Sequence, residues 1–86
     1  MDASNFNLYP NPATNTANLW FVLTQNESYE MTIINQLGQV VRNKSYSDLS
    51  PGPYTLEVDV KDLPAGIYYV KLKGMKQEGM KKLIIE

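Results

Sequence analysis

The chain has 86 residues and a mass of 9.8 kDa, room for one small core, since domains run from about 50 to about 250 residues. Eight Lys+Arg stand against nine Asp+Glu, a formal net charge of -1. The cationic footprint that binds a phosphate backbone is missing, and nucleic acid is excluded as a partner. Cysteine and histidine are both absent, which excludes disulfides, structural zinc, thiol nucleophiles and every Ser-His or Cys-His catalytic arrangement.

Hydrophobic residues make up 43% and charged residues 20%, the composition of a globular chain and not of a disordered one. Mean hydropathy is -0.34, and no apolar run approaches the ~20 residues of a membrane-spanning helix. No charged segment followed by an apolar one opens the chain, so an exported product is expected to carry its leader upstream of this piece.

Met1 to Asn5 is small and polar and reads as a tag or linker (1–5), with the folded domain expected over 6–86. Phe6 to Tyr9 forms a short strand that runs into Pro10-Asn11-Pro12, where two prolines without amide donors stop regular structure. Ala13 to Asn18 is turn chemistry. Leu19 to Leu23 is too short and too rich in β-formers for a helix. After a polar stretch, Tyr29 to Ile34 forms the next strand, and Asn35 to Gln39 is a hairpin connection with Gly38 where positive φ is needed. Val40 to Tyr46 returns beside it, and Ser47 to Pro53 reads as a loop. Tyr54 to Val60 alternates cleanly, Lys61 to Gly66 turns the chain, and Ile67 to Lys73 and Met80 to Ile85 form the last hairpin around Gly74 to Gly79.

No window supports a helix, because the best candidate, Met31 to Arg42, is interrupted by Gly38 and crowded with β-branched residues. The fold class is therefore all-β, a small antiparallel β-sandwich of about seven short strands. One face is expected to bury Leu19, Phe21, Met31, Ile33, Leu56, Val58, Tyr68, Val70, Leu72, Leu83 and Ile85.

Few side chains suggest chemistry. Glu57 and Asp59 sit about 7 Å apart on one strand face, a separation compatible with paired-carboxylate glycoside chemistry. A solvated strand face accounts for both, since nothing raises either pKa by burial. Asp59 and Asp62 supply two of the six to eight oxygens that calcium wants, and Asp62 reads as a turn stabiliser. No metal, no cofactor and no enzymatic activity are expected. Asn26-Glu27-Ser28 and Asn43-Lys44-Ser45 match the glycosylation tripeptide by composition. Trp20, Tyr54 and Tyr69 suggest an aromatic platform for sugar rings, set against partial burial of Trp20 in its apolar run. Lys71, Lys73, Lys76, Lys81 and Lys82 read as a solvated edge that discourages strand aggregation, with partner docking as the second reading.

Four ordered segments carry a resemblance. Leu8-Tyr9-Pro10-Asn11-Pro12-Ala13, then Ile33-Ile34-Asn35-Gln36-Leu37-Gly38-Gln39-Val40-Val41, then Leu63-Pro64-Ala65-Gly66-Ile67-Tyr68-Tyr69-Val70-Lys71-Leu72, and finally Lys81-Lys82-Leu83-Ile84-Ile85-Glu86 resemble, in order, the motifs of the type A C-terminal sorting domain of the type IX (Por) secretion system. An acidic residue is commoner in that family where Asn35 stands. The resemblance implies an Ig-like β-sandwich that acts as a non-enzymatic secretion signal in Bacteroidota. It also implies an N-terminal cargo domain in the same chain, recognition by the outer-membrane translocon and removal by a sortase-like peptidase. The implied route passes through the periplasm to the cell surface or medium. Candidate sorting residues are Pro10, Asn11, Pro12, Gly38, Gly66, Tyr68, Lys81, Lys82, Leu83 and Ile85. The alternative from the residues alone is a carbohydrate-binding or adhesive module built on Trp20 and exposed tyrosines.

Overall fold

A computed structural model describes residues 6–10, 12–75 and 78–86. Among these, seven strands run in chain order: β1 Asn7–Tyr9, β2 Thr16–Leu23, β3 Glu27–Ile34, β4 Val40–Leu49, β5 Gly52–Asp59, β6 Gly66–Lys73 and β7 Glu78–Ile85. They form a three-stranded sheet, β1-β2-β5, and a four-stranded sheet, β4-β3-β6-β7, with every named pairing antiparallel. The all-β sandwich read from the turns and the period-two alternation is the observed fold.

Alternation explains which face is buried. In β2 every second residue from Ala17 to Leu23 is buried, and in β5 Leu56 and Val58 alternate with exposed Thr55, Glu57 and Asp59. All eleven residues expected in the core are buried, joined by Phe6, Ala13, Ala17, Leu23, Tyr29 and Val60. Phe21 of the first sheet stacks on Tyr54 with ring centroids 5.7 Å apart and meets Tyr29 of the second sheet at 6.1 Å. Rings of this size remove ~150–250 Å² each from water, so this aromatic group holds one end of the sandwich together.

Several boundaries differ from those expected. Thr16 to Asn18 is not turn but the start of β2, because Thr16 pairs with Asp59 and Asn18 with Glu57. Ser47 to Leu49 continues β4, and Gly52 and Pro53 already belong to β5, which leaves Ser50 and Pro51 as the connection. The polar run Ser47-Asp48 stays in the sheet through a bulge. Pairing shifts between Glu27↔Leu49 and Tyr29↔Tyr46, Asp48 takes φ 54°, and its amide donates to Ser28 Oγ at 3.1 Å. Asp tolerates the left-handed region better than most residues, and bulges of this kind are a common way to finish an exposed edge. Glu27 and Ser28 likewise extend β3, and Glu78 and Gly79 extend β7.

Candidate recognition surface

The topology sends three connections and the end of β7 to one end of the sandwich. β3 ends at Ile34 beside the beginning of β4, β6 begins at Gly66 paired with Ile85 at the end of β7, and β2 begins at Thr16 beside the end of β5. Residues 12–15, 35–39, 60–65 and 86 are therefore neighbours, although they are spread over the whole chain. Two backbone bonds close the ring: Ala13 N–H donates to the Ile84 carbonyl at 2.8 Å, and Glu86 N–H donates to the Ala13 carbonyl at 2.9 Å. Ala13 thereby forms a parallel bridge with Ile85, fastening the β1–β2 connection onto the edge of the other sheet. Ala13 is completely buried, so a small residue is required where two backbones approach.

Asn35 builds the hairpin turn. Its Oδ1 accepts from the amides of Leu37 at 2.9 Å and Gln39 at 3.0 Å, while its Nδ2 donates to Gln39 Oε1 at 2.9 Å. Gly38 takes φ +82°, the left-handed conformation that a residue without Cβ adopts freely. A carboxylate at 35 would accept the same two amides, so an acidic residue at this position suits the same turn. Leu37, at the tip, is 82% exposed.

On the next strand, Tyr68 is 5% exposed and its hydroxyl donates to the Pro64 carbonyl at 2.6 Å. The same device recurs at the start of β5, where the Tyr54 hydroxyl donates to the Ser50 carbonyl at 2.7 Å. In both, a glycine two residues before the tyrosine has positive φ, +140° at Gly52 and +157° at Gly66. Each tyrosine thus pins the corner that feeds its own strand, as in the tyrosine corners of other β-sandwiches. A Cβ on Gly66 meets nothing within 4 Å, so any penalty there is backbone strain and not a clash. Gly66→Val is expected to lower stability by more than about 1 kcal/mol. Thermal denaturation followed by circular dichroism checks this, and an unchanged midpoint would show that the corner accepts a side chain.

Between the Asn35 turn and this corner lies a groove of about 240 Å³, lined by Gln36, Leu37, Pro64, Ala65 and Ile67 among others. On the same sheet, exposed Val40 pairs with Ile34 and exposed Ile84 with Ile67. The structure thus gathers all four sequence motifs around one surface. The family model of the secretion system C-terminal sorting domain matches residues 7–86. The chain belongs to this family, the sorting domains of type IX secretion. No curated protein matches it. Membership of this generally non-enzymatic family implies export to the cell surface or extracellular space. No helix among the described residues is long and apolar enough to cross a membrane.

The candidate residues of this sorting domain fall into different classes. Pro10 and Pro12 are exposed, and Asn11 lies outside the described residues. Gly38 and Gly66 shape turns. Tyr68, Leu83 and Ile85 are core, with no side-chain surface left for a partner. Lys82 is exposed on the outer face, paired in register with Tyr69. Lys81 is half-buried at the rim, its ammonium 6.0 Å from the Phe6 ring centroid. Lys71 pairs with Glu78 at 3.7 Å, Lys73 is exposed, and Lys76 lies outside the described residues. Among other motif residues, Ala13 is buried at the bridge to Ile85, Leu37 is exposed at the hairpin tip, and the Pro64 carbonyl accepts from Tyr68.

The remaining constellations separate. Glu57 and Asp59 are exposed, with Asp59 Oδ1 accepting the Lys61 amide at 3.1 Å. Asp62 is not a local turn stabiliser but an ion-pair partner of Arg42, which also donates to the Asp59 carbonyl at 3.2 Å and ties the β4 edge to the end of β5. Among the described residues no group of three or more acidic side chains is placed to hold a metal ion. Burial pushes the pKa of Tyr46 upward, which keeps its hydroxyl neutral. Trp20, Tyr54 and Tyr69 do not form a platform. Trp20 lies on the outer face of the first sheet, Tyr54 packs inward on Phe21, and Tyr69 lies on the outer face of the second sheet.

Proposed function

We propose that this domain directs an attached N-terminal cargo through the outer membrane of a Bacteroidota cell, after periplasmic transit. In this reading the outer-membrane translocon reads the end of the sandwich where the four motifs meet, and a sortase-like peptidase then removes the label. The observation that supports the reading is the Ala13–Ile85 bridge, which joins the first motif to the last, itself paired through Ile85 with Gly66 of the third. A label read as a folded object needs its recognition groups on one rigid surface, and the hydrogen bonds that Asn35 Oδ1 accepts and the Tyr68 hydroxyl donates hold that surface still. The core residues of the motifs serve the shape, and the exposed ones, Leu37, Pro64 and Pro12, serve contact.

Leu37 separates shape from contact because its side chain is exposed at a turn. Leu37→Glu is expected to leave the melting temperature nearly unchanged, within the ±0.5 kcal/mol typical of surface changes. Surface delivery of a reporter fused to residues 1–86 is expected to fall about tenfold, as for the loss of about 1.4 kcal/mol of contact. Cell fractionation in a host with the type IX machinery measures it, and undiminished delivery would remove Leu37 and the groove beside it from the recognition surface. The isolated domain is expected to turn over neither glycosides nor esters. Activity abolished by Glu57→Gln or Asp59→Asn would contradict that.

A further inference from the structure

The outer face of the three-stranded sheet lies apart from the groove beside the Asn35 turn, shares only Tyr9 with the sorting motifs, and has a chemistry of its own. Register places Asn7, Trp20 and Thr55 side by side in one row, and Tyr9, Asn18 and Glu57 in the next. All six share one side of the sheet, opposite the half-buried Leu8 and the buried Leu19 and Leu56: Trp20 and Asn18 are half-buried, Tyr9 is 46% exposed, and Asn7, Thr55 and Glu57 are exposed. Neighbouring strands lie about 4.8 Å apart, so the two rows cover a flat patch about the size of two sugar rings. Within the described residues, the side chains of Asn7, Asn18, Thr55 and Glu57 donate to and accept from no other residue. None of the chain's eight Lys+Arg lies on β1, β2 or β5, whereas Arg42, Lys44, Lys71, Lys73, Lys81 and Lys82 all lie on the other sheet.

We propose that this face is a binding site for a neutral oligosaccharide, with Trp20 as the stacking platform and Asn7, Asn18 and Thr55 as hydrogen-bonding groups around it. The negative face of the indole ring attracts the weakly positive C–H face of a pyranose. Two amides and a hydroxyl match the donor and acceptor pairs of sugar hydroxyls, and Tyr9 adds a second ring at the rim. Charge selects the ligand class. With no cation on these strands and with the Glu57 and Asp59 carboxylates at one end, phosphorylated, sulfated and uronic-acid chains are repelled, and neutral hexose or N-acetylhexosamine chains are admitted. A protein partner is a poorer match, since among the described residues Tyr9 is the one exposed large hydrophobic on this face, whereas Leu37, Val40, Met75, Met80 and Ile84 lie elsewhere. The site stands independently of the sorting reading and uses none of its contact residues.

The chain contains a single tryptophan, so its intrinsic fluorescence reports Trp20 alone. Titration with cellohexaose, laminarihexaose, mannohexaose and chitohexaose is expected to give a saturable change for at least one, with a midpoint near 0.1–1 mM, a range of roughly -4 to -5.5 kcal/mol. Asn18→Ala keeps the fluorophore and is expected to weaken that binding about tenfold. Trp20→Ala, followed by calorimetry and checked for folding by circular dichroism, is expected to abolish it. Glu57→Gln is expected to retain it, and a hyaluronan hexasaccharide is expected not to bind. The absence of a saturable change with every neutral hexasaccharide overturns the proposal, as does binding that Asn18→Ala and a folded Trp20→Ala leave intact. Export of a Trp20→Ala reporter matching the parent would show that the two surfaces act separately, whichever way the titrations fall.

Discussion

Deletion of Lys82 to Glu86 is expected to unfold the domain and to stop export of a reporter fused to it. The segment supplies Leu83 and Ile85, at 0% and 2% exposure. Fully burying an aliphatic side chain contributes about 1.5–3 kcal/mol. It also supplies the pairing with Gly66 to Tyr69 on β6 and the acceptor and donor that hold Ala13. The losses therefore reach both sheets, because Ala13 anchors the β1–β2 connection of the opposite layer. A domain of this size has only about 5–10 kcal/mol of stability to spare, and losing the core pair and a row of strand hydrogen bonds removes most of it. The truncated protein is expected to show a disordered circular dichroism spectrum, and its fusion to remain in the periplasmic fraction. Ile85→Val is the control: it removes one methylene at about 0.5–1.5 kcal/mol and is expected to keep both fold and delivery. Equal surface delivery of the truncated and intact fusions would mean that the last strand carries neither the fold nor the signal.

Tyr68→Ala is expected to be the most damaging single substitution among the motif residues. It empties a buried aromatic position between Val70 and the β7 residue Leu83, with which Tyr68 is in register. It also releases the Pro64 carbonyl that the hydroxyl holds at 2.6 Å. Aromatic-to-alanine changes in cores cost about 3–5 kcal/mol, and each kcal/mol moves the midpoint of a domain this small by about 4–8 °C. A fall of more than about 12 °C is therefore expected in a thermal scan. Tyr68→Phe keeps the ring and loses only the hydrogen bond, for about 0.5–1.5 kcal/mol. If the two variants melt alike, the hydroxyl and not the packing carries the effect. If Tyr68→Ala melts within a few degrees of the parent, the corner does not organise this end of the sandwich. Because the Pro64 carbonyl belongs to the groove wall, Tyr68→Phe also tests whether a small displacement of that wall reduces delivery.

Strand identity was legible where alternation was strong. Leu56 and Val58 against Glu57 and Asp59, or Val70 and Leu72 against Lys71 and Lys73, announce one wet and one dry face, because successive side chains leave a strand on opposite sides. The same rule fails along β4, where only Val41, Arg42, Tyr46 and Leu49 are half-buried. An edge strand with a bulge near each end has no regular dry face to advertise. Ser47 and Asp48 looked like loop for that reason, and a register shift keeps them in the sheet. Ala13 and Ala17 looked like turn residues because small side chains carry no pattern, yet both are fully buried where backbone meets backbone.

By itself the sequence determined the all-β class, eleven of the core side chains, the positions of the glycine turns and the order of the four sorting motifs. Each of these rests on local information: alternation along one strand, missing residue types, or a glycine where φ turns positive. Tertiary structure decided which strands are neighbours, and with it which residues share each face. The parallel contact between Ala13 and Ile85 joins residues 72 positions apart, and no periodicity encodes a pairing at such a distance. The gathering of residues 35–39 and 64–66 beside that contact follows from sheet order alone, as does the row of Asn7, Trp20 and Thr55 on the opposite layer. Register between distant strands is set by the packing of the whole core, so surfaces composed from several strands emerge only when the core closes.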